Sequence, residues 1–166
     1  MITLRNIIVK LILGTFLIVG INSCDEGGEP DPGSTLVVEM AGDWYVKAYD
    51  ESGTNALTGF SLFSTYNTSD NDSSLWLDDH EGIFPLKSKV AVDLNAMTFS
   101  ASDAENLFDA AGIATVTEGK ILKKATTSTG GNVVDSIAFK VTLQNDPGNV
   151  YLIGGYKRTG LLEDEH

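Results

Sequence analysis

Between residues 43 and 157 apolar and polar positions alternate with a period of two over much of the chain, the signature of half-buried strands. In the first such segment, 43–50, Trp44, Val46 and Ala48 share one face and Tyr45, Lys47 and Tyr49 the other. Its expected partner, Leu57 to Tyr66, carries large groups on both faces: Leu57 and Phe63 on one, Phe60, Leu62 and Tyr66 on the other. A face turned to water would be polar, so another part of the chain, or a partner, is expected to cover it. Leu75-Trp76-Leu77 reads as a short strand. From Phe84 to Leu94, residues Leu86, Ser88, Val90, Val92 and Leu94 oppose Lys87, Lys89, Ala91 and Asp93, and Asn95-Ala96 turns the chain into Met97-Thr98-Phe99. Strands resume at 113–118 and 120–125. In the clearest one, Val133 to Gln144, the residues Ile137, Phe139, Val141 and Leu143 point one way. Asn145-Asp146-Pro147-Gly148 is a strong turn signal, with Pro setting φ and Gly permitting a positive one. Val150 to Lys157 returns as the hairpin partner.

One stretch changes period. In 102–112, Ser102 and Glu105 fit a capping box, Gly112 sits where a C-cap glycine would, and Leu107 and Ala111 share a helical face. This predicts one short helix at an end of the fold. Eight to nine strands and one helix give an all-β chain. A single antiparallel barrel of about eight strands leaves no exposed edge, and a two-sheet sandwich is the other arrangement these strands allow. An eight-stranded interior is either filled by side chains or holds one small ligand. The barrel is expected over 36–162. Leu36 to Met40 forms a short strand or a turn ahead of it, and Glu163-Asp164-Glu165-His166 reads as a solvated acidic tail.

The first 23 residues differ from the rest. Arg5 and Lys10 precede the uncharged run Leu11–Ile21, a basic region and short apolar core typical of a secretory signal. It ends in Ile21-Asn22-Ser23-Cys24, which resembles the lipobox of bacterial lipoproteins. The resemblance implies cleavage before Cys24 and acylation of that residue by chains such as palmitate, with attachment to membrane lipid. The other reading is an ordinary signal followed by a stray thiol. Cys24 is the only cysteine, so no internal disulfide can form. Residues 24–35 are acidic and rich in Gly and Pro, the composition of a flexible tether. Acidic residues just after such a cysteine resemble export tags that carry some lipoproteins to the cell surface, so an outer-membrane address is expected, on the periplasmic face or outside.

The chain has 11 basic and 23 acidic residues, a net charge of −12, which loss of Arg5 and Lys10 with the signal takes to −14. Such a surface repels nucleic acid and anionic headgroups and favours cations, neutral ligands or apolar ones.

Four stretches together resemble a family of small Bacteroidetes lipoproteins described as lipid-binding putative hydrolases: Gly42-x-Trp44-Tyr45-Val46, Val134-Asp135-Ser136-Ile137, Asp146-Pro147-Gly148 and Tyr156-Lys157-Arg158-Thr159-Gly160. They cover most of 38–162 and imply a calycin-like, lipocalin-like barrel. In that superfamily a late basic residue packs across the Trp that plugs the barrel, a role the resemblance gives to Arg158 against Trp44.

Hydrolysis by a Ser–His–acid triad needs a His beside a positioned Ser. The two His are His80, among Asp78, Asp79 and Glu81, and His166; no Gly-x-Ser-x-Gly elbow is present. No catalytic residue is assigned, and a hydrolase built on His80 and nearby carboxylates is the third reading. Asp78-Asp79-His80-Glu81 and Asp70-Asn71-Asp72 read as acidic turns, since consecutive extended residues point opposite ways; Asp135 and Glu118 have no separation set by the sequence. No metal or cofactor is assigned. A small apolar ligand fits better. Its lining would come from Trp44, Val46, Phe63, Leu75, Trp76, Val90, Val92, Phe139, Val141, Leu152 and Tyr156, with Trp76, Tyr66, Phe63 and Tyr156 as contacts and Trp44 as a structural plug. The second reading is an accessory lipoprotein with a filled barrel, acting through protein or glycan contacts such as an outer-membrane partner.

Overall fold

The computed structural model describes residues 33–109 and 112–166. The expectations for the signal, for Cys24 and for most of the tether lie outside the described residues. The compact unit Thr35–His166 contains the elements named below.

Eight antiparallel strands close into one barrel in sequence order, the last pairing with the first. They are β1 (Gly42–Tyr49), β2 (Ser61–Asn67), β3 (Ser74–Asp78), β4 (Lys87–Asp93), β5 (Thr98–Asn106), β6 (Gly112–Thr127), β7 (Val133–Leu143) and β8 (Tyr151–Lys157). The alternation sets the two faces. Trp44, Val46 and Ala48 of β1, Phe63 of β2, Leu75 and Leu77 of β3, Val90 of β4 and Ile137, Phe139 and Val141 of β7 are all buried in one core. At its waist the Phe139 ring lies 5.4 Å from that of Phe63 and 5.6 Å from that of Phe99. The closing seam sets Trp44 against Lys157 and Val46 against Gly155. A Cβ at Gly155 would run into the Tyr45 carbonyl oxygen, so only glycine lets β8 approach β1 this closely.

One end is sealed around Trp44. A 3₁₀ turn, Val38–Met40, fills the place where a strand or turn was expected, and Val37 and Met40 are fully buried there. Trp44 Nε1 donates to Thr65 Oγ1 (2.9 Å), which donates to the Met40 carbonyl (2.7 Å), tying turn, first strand and second strand together. Arg158 is not the residue above this ring. Lys157, directly opposite Trp44, puts its Nζ 5.9 Å from the indole centre. Arg158 is one residue on, and strand alternation throws it to the outer wall, over Tyr45 and paired with Glu165.

Among the described residues the helix expected over 102–112 is not formed: 98–106 is strand, and the short helical turns described are Val38–Met40 and Leu162–Asp164. Ala104, Glu105 and Asn106 pair with Ala114, Ile113 and Gly112, and the N–H of Asp103 is held by Thr115 Oγ1 rather than by a cap. A ladder of partners on β6 outweighs a local helix signal with few apolar groups to bury; Leu107 and Phe108 stay largely exposed. The two strands expected at 113–118 and 120–125 are one bent strand, β6. It is kinked by register shifts at Thr117/Lys120 and Leu122/Thr126, with Glu118 and Lys124 at positive φ.

Residues 163–166 are not a solvated tail. Asp164 is 0 % exposed. Its carboxylate accepts bonds from the Gly130 N–H, Thr159 Oγ1 and Asn132 Nδ2. Burial opposes ionisation of Asp164, yet these donors hold its carboxyl well below the usual range. Glu165 accepts from Arg158 and from the Tyr45 hydroxyl, and the His166 ring stacks on Phe60 at 4.3 Å. This strap covers Phe60, Tyr45 and Tyr156 on the outer wall, so of the two-sided segment 57–66 it covers Phe60, while Leu57 and Leu62 stay exposed.

Candidate functional site

The end opposite Trp44 is closed by a loop rather than by strands. Residues 79–86 connect β3 to β4, and Ile83, Phe84 and Leu86 pack against the barrel core. Phe84 reaches across to Tyr151 at the start of β8, ring centres 4.7 Å apart, so this flap spans the mouth. Its ends are stapled, Asp79 N–H to the Leu86 carbonyl at 3.0 Å, while its turn runs through His80 and Glu81 at φ 52° and 57°. Below it, Ser88 of β4 lies between the core residues Leu86 and Val90 and opposite Leu77.

Asp79 holds the flap tip. Its Oδ2 accepts the backbone N–H of Ile83 (2.9 Å) and of Phe84 (2.5 Å). Burial, opposed by those two donors and aided by the Asp78 charge, pushes its carboxyl up to about 6. The neighbouring Asp78 behaves oppositely. Burial disfavours its charge, but Tyr66 OH (2.6 Å), Lys87 Nζ (2.9 Å) and the His80 N–H (3.0 Å) overcome this and hold its carboxyl low. His80 completes the anchor. Its Nε2 lies 2.8 Å from Ser64 Oγ, and Ser64 donates to Asp43 Oδ1 at 2.6 Å. The start of the flap is thus pinned to the outer wall of β1 and β2.

A family model described as lipid-binding putative hydrolase matches residues 29–162. The chain belongs to this family. No curated protein matches the chain. The lipid-binding half of the family description has a counterpart in the fold. The closed eight-stranded barrel is a fold suited to a lipid-like ligand. For hydrolysis, Ser64, His80 and Asp78 stand in the order of an acyl-transfer triad, but the bonding differs. The single proton of Ser64 goes to Asp43, so His80 Nε2 must itself donate to Ser64 Oγ rather than accept from it. The contact from His80 Nδ1 to Asp78 Oδ1 is 3.6 Å, beyond a hydrogen bond. In this lipid-binding family member the trio is a strut for the flap. A nucleophilic Ser64 needs its O–H turned from Asp43 toward a His80 Nε2 that carries no proton.

The four residues expected to contact a ligand do not meet in one place. Phe63 faces the core. Tyr66 and Trp76 are register partners on the outer wall, Tyr66 spending its hydroxyl on Asp78. Tyr156 lies on the outer face too, beneath the strap, bonded to His166 Nε2. Alternation explains the split: Trp76 lies between inward Leu75 and Leu77, so a strand placing those two inside must put Trp76 outside. Missed as site residues were Ile83, Phe84 and Ser88, and Asp79, read as part of an acidic turn, is buried. Ser88 was visible in the sequence as the one polar member of an apolar stripe.

Proposed function

We propose that this protein is a membrane-anchored lipoprotein that binds a small, apolar, lipid-like ligand at the flap-covered end of its barrel, without chemical turnover. The observation that carries the reading is that the mouth is filled by loop side chains, Ile83 and Phe84, which can leave without breaking a strand ladder. A ligand takes their place, above a waist occupied by Phe63, Phe99 and Phe139. Attachment rests on the sequence: a signal-like segment ending at Cys24, acylation of that residue, and an outer-membrane address on the periplasmic face or outside. Several acyl chains hold a protein to a bilayer where one does not.

The test is native mass spectrometry of the mature chain carrying Cys24→Ser, purified from its own host, followed by titration with a library of acyl-chain compounds. A co-purifying small molecule, or saturable binding of a library member, supports the reading. Clean protein that binds no member overturns it and favours the second reading. That reading, an accessory lipoprotein acting through protein or glycan contacts, draws its support from the packed aromatic waist.

A further inference from the structure

Ser88 is the unexplained group inside the barrel. It is 0 % exposed, and its Oγ makes no hydrogen bond among the described residues. The register fixes its direction: it lies opposite Leu77 and two residues from both Leu86 and Val90, all buried core positions, so it faces inward. Its cross-strand neighbour Asn106 makes its bonds elsewhere. The Asn106 amide donates to the Pro85 carbonyl (2.6 Å), and its oxygen accepts from the N–H groups of Lys87 (2.9 Å) and Phe108 (3.3 Å). The side chains of Leu77, Leu86 and Val90 around it offer no partner. Buried polar groups are nearly always bonded, and this hydroxyl lies two residues inside the flap's Leu86 end without a partner.

We infer that Ser88 Oγ is the polar anchor of the site beneath the flap, and that the site takes a neutral amphiphile with one head oxygen, such as a long-chain alcohol or ester. The inference rests on the ligand-binding reading above. The head oxygen bonds to Ser88, and the alkyl chain fills the space that Ile83 and Phe84 vacate when the flap swings on its stapled ends. The charge pattern excludes an ionised head. Lys87, next to Ser88, points outward and is paired with Asp78 at 2.9 Å, so a carboxylate at Ser88 has no counter-charge from it. The net charge of −12 further disfavours an anion.

The experiment is calorimetric titration of the mature chain carrying Cys24→Ser with 1-decanol, decanoate and decane, alone and with Ser88→Ala added. The expected result is saturable binding of 1-decanol, with decane and decanoate about tenfold weaker or worse, the size of one buried hydrogen bond. Ser88→Ala should weaken 1-decanol by about tenfold, down to the level of decane, and leave decane unchanged. Phe84→Ala, which empties the mouth, should tighten both. If the parent chain binds 1-decanol and Ser88→Ala binds it equally well, the anchor is wrong while the binding reading stands. Decanoate binding more tightly than 1-decanol overturns the neutral head. A parent chain that binds none of the three removes the inference together with the reading beneath it.

Discussion

Asp79 is a buried carboxyl held in a place that does not suit its charge, and Asp79→Asn tests that description. The group is 2 % exposed, and its carboxyl is raised from the ordinary 3.8 to about 6. Each pH unit of displacement is worth about 1.4 kcal/mol, so well above pH 6 the ionised form costs the fold about 3 kcal/mol. The sign follows from the direction. A folded value above the unfolded one means that the stabilisation is complete below pH 3.8 and is lost as pH rises through about 6. Asparagine removes the charge and can keep an oxygen toward the N–H groups of Ile83 and Phe84. At pH 7.5 the Asp79→Asn chain should therefore be more stable, by up to about 3 kcal/mol, and its loss of stability between pH 4 and 7 should be shallower. Urea unfolding followed by fluorescence at several pH values reads both. An asparagine variant less stable than the parent at pH 7.5, or one with the parent's slope over this window, refutes the reasoning.

Two further outcomes follow from the ends of the fold. Trp44→Ala removes a fully buried indole and leaves Thr65 without its donor; it should cost about 3–5 kcal/mol, measured as a lower urea midpoint. Asp164→Asn should loosen the strap, seen as faster exchange of the Gly130 N–H and quicker proteolysis after residue 158. In the parent, whose Asp164 carboxyl is depressed, the strap should stay docked at mildly acidic pH and release only as pH falls well below 3.8.

Much of the barrel was legible because its strands are locally complete sentences. In β4 and β7 the alternation is clean, and the connecting turns announce themselves, as where Asp93 Oδ1 accepts the N–H groups of Asn95 and Ala96. The segment 102–112 was misread because a capping pattern is local, whereas its ladder partners on β6 are supplied by the fold. The strap was misread for a related reason. An acidic run looks solvated unless donors are known to converge on it, and those meeting Asp164 come from Gly130, Asn132 and Thr159. The site was half legible. The inward stripe Leu86-Ser88-Val90 could be read directly, but that Ser88 has no partner, and that Phe84 spans the mouth to Tyr151, depends on elements far apart in sequence.

The strap also has a consequence in time. Its docking surface draws on Tyr45 of β1, Tyr156 of β8 and the β6–β7 turn at Gly130, and the bond between Tyr45 and Glu165 joins residues 120 apart. Contacts of such separation are the slowest to form, because loop-closure entropy must be met before they reward the chain. These three surfaces stand side by side only once β8 has met β1. Where the meeting of β8 and β1 limits the rate, the bond from Glu165 to Tyr45 forms after it and is absent from the transition state. Interactions of that kind leave the folding rate nearly unchanged and slow unfolding. On that order of events the last nine residues act less on how the barrel is made than on how long it lasts, which a comparison of folding and unfolding rates with and without them would read.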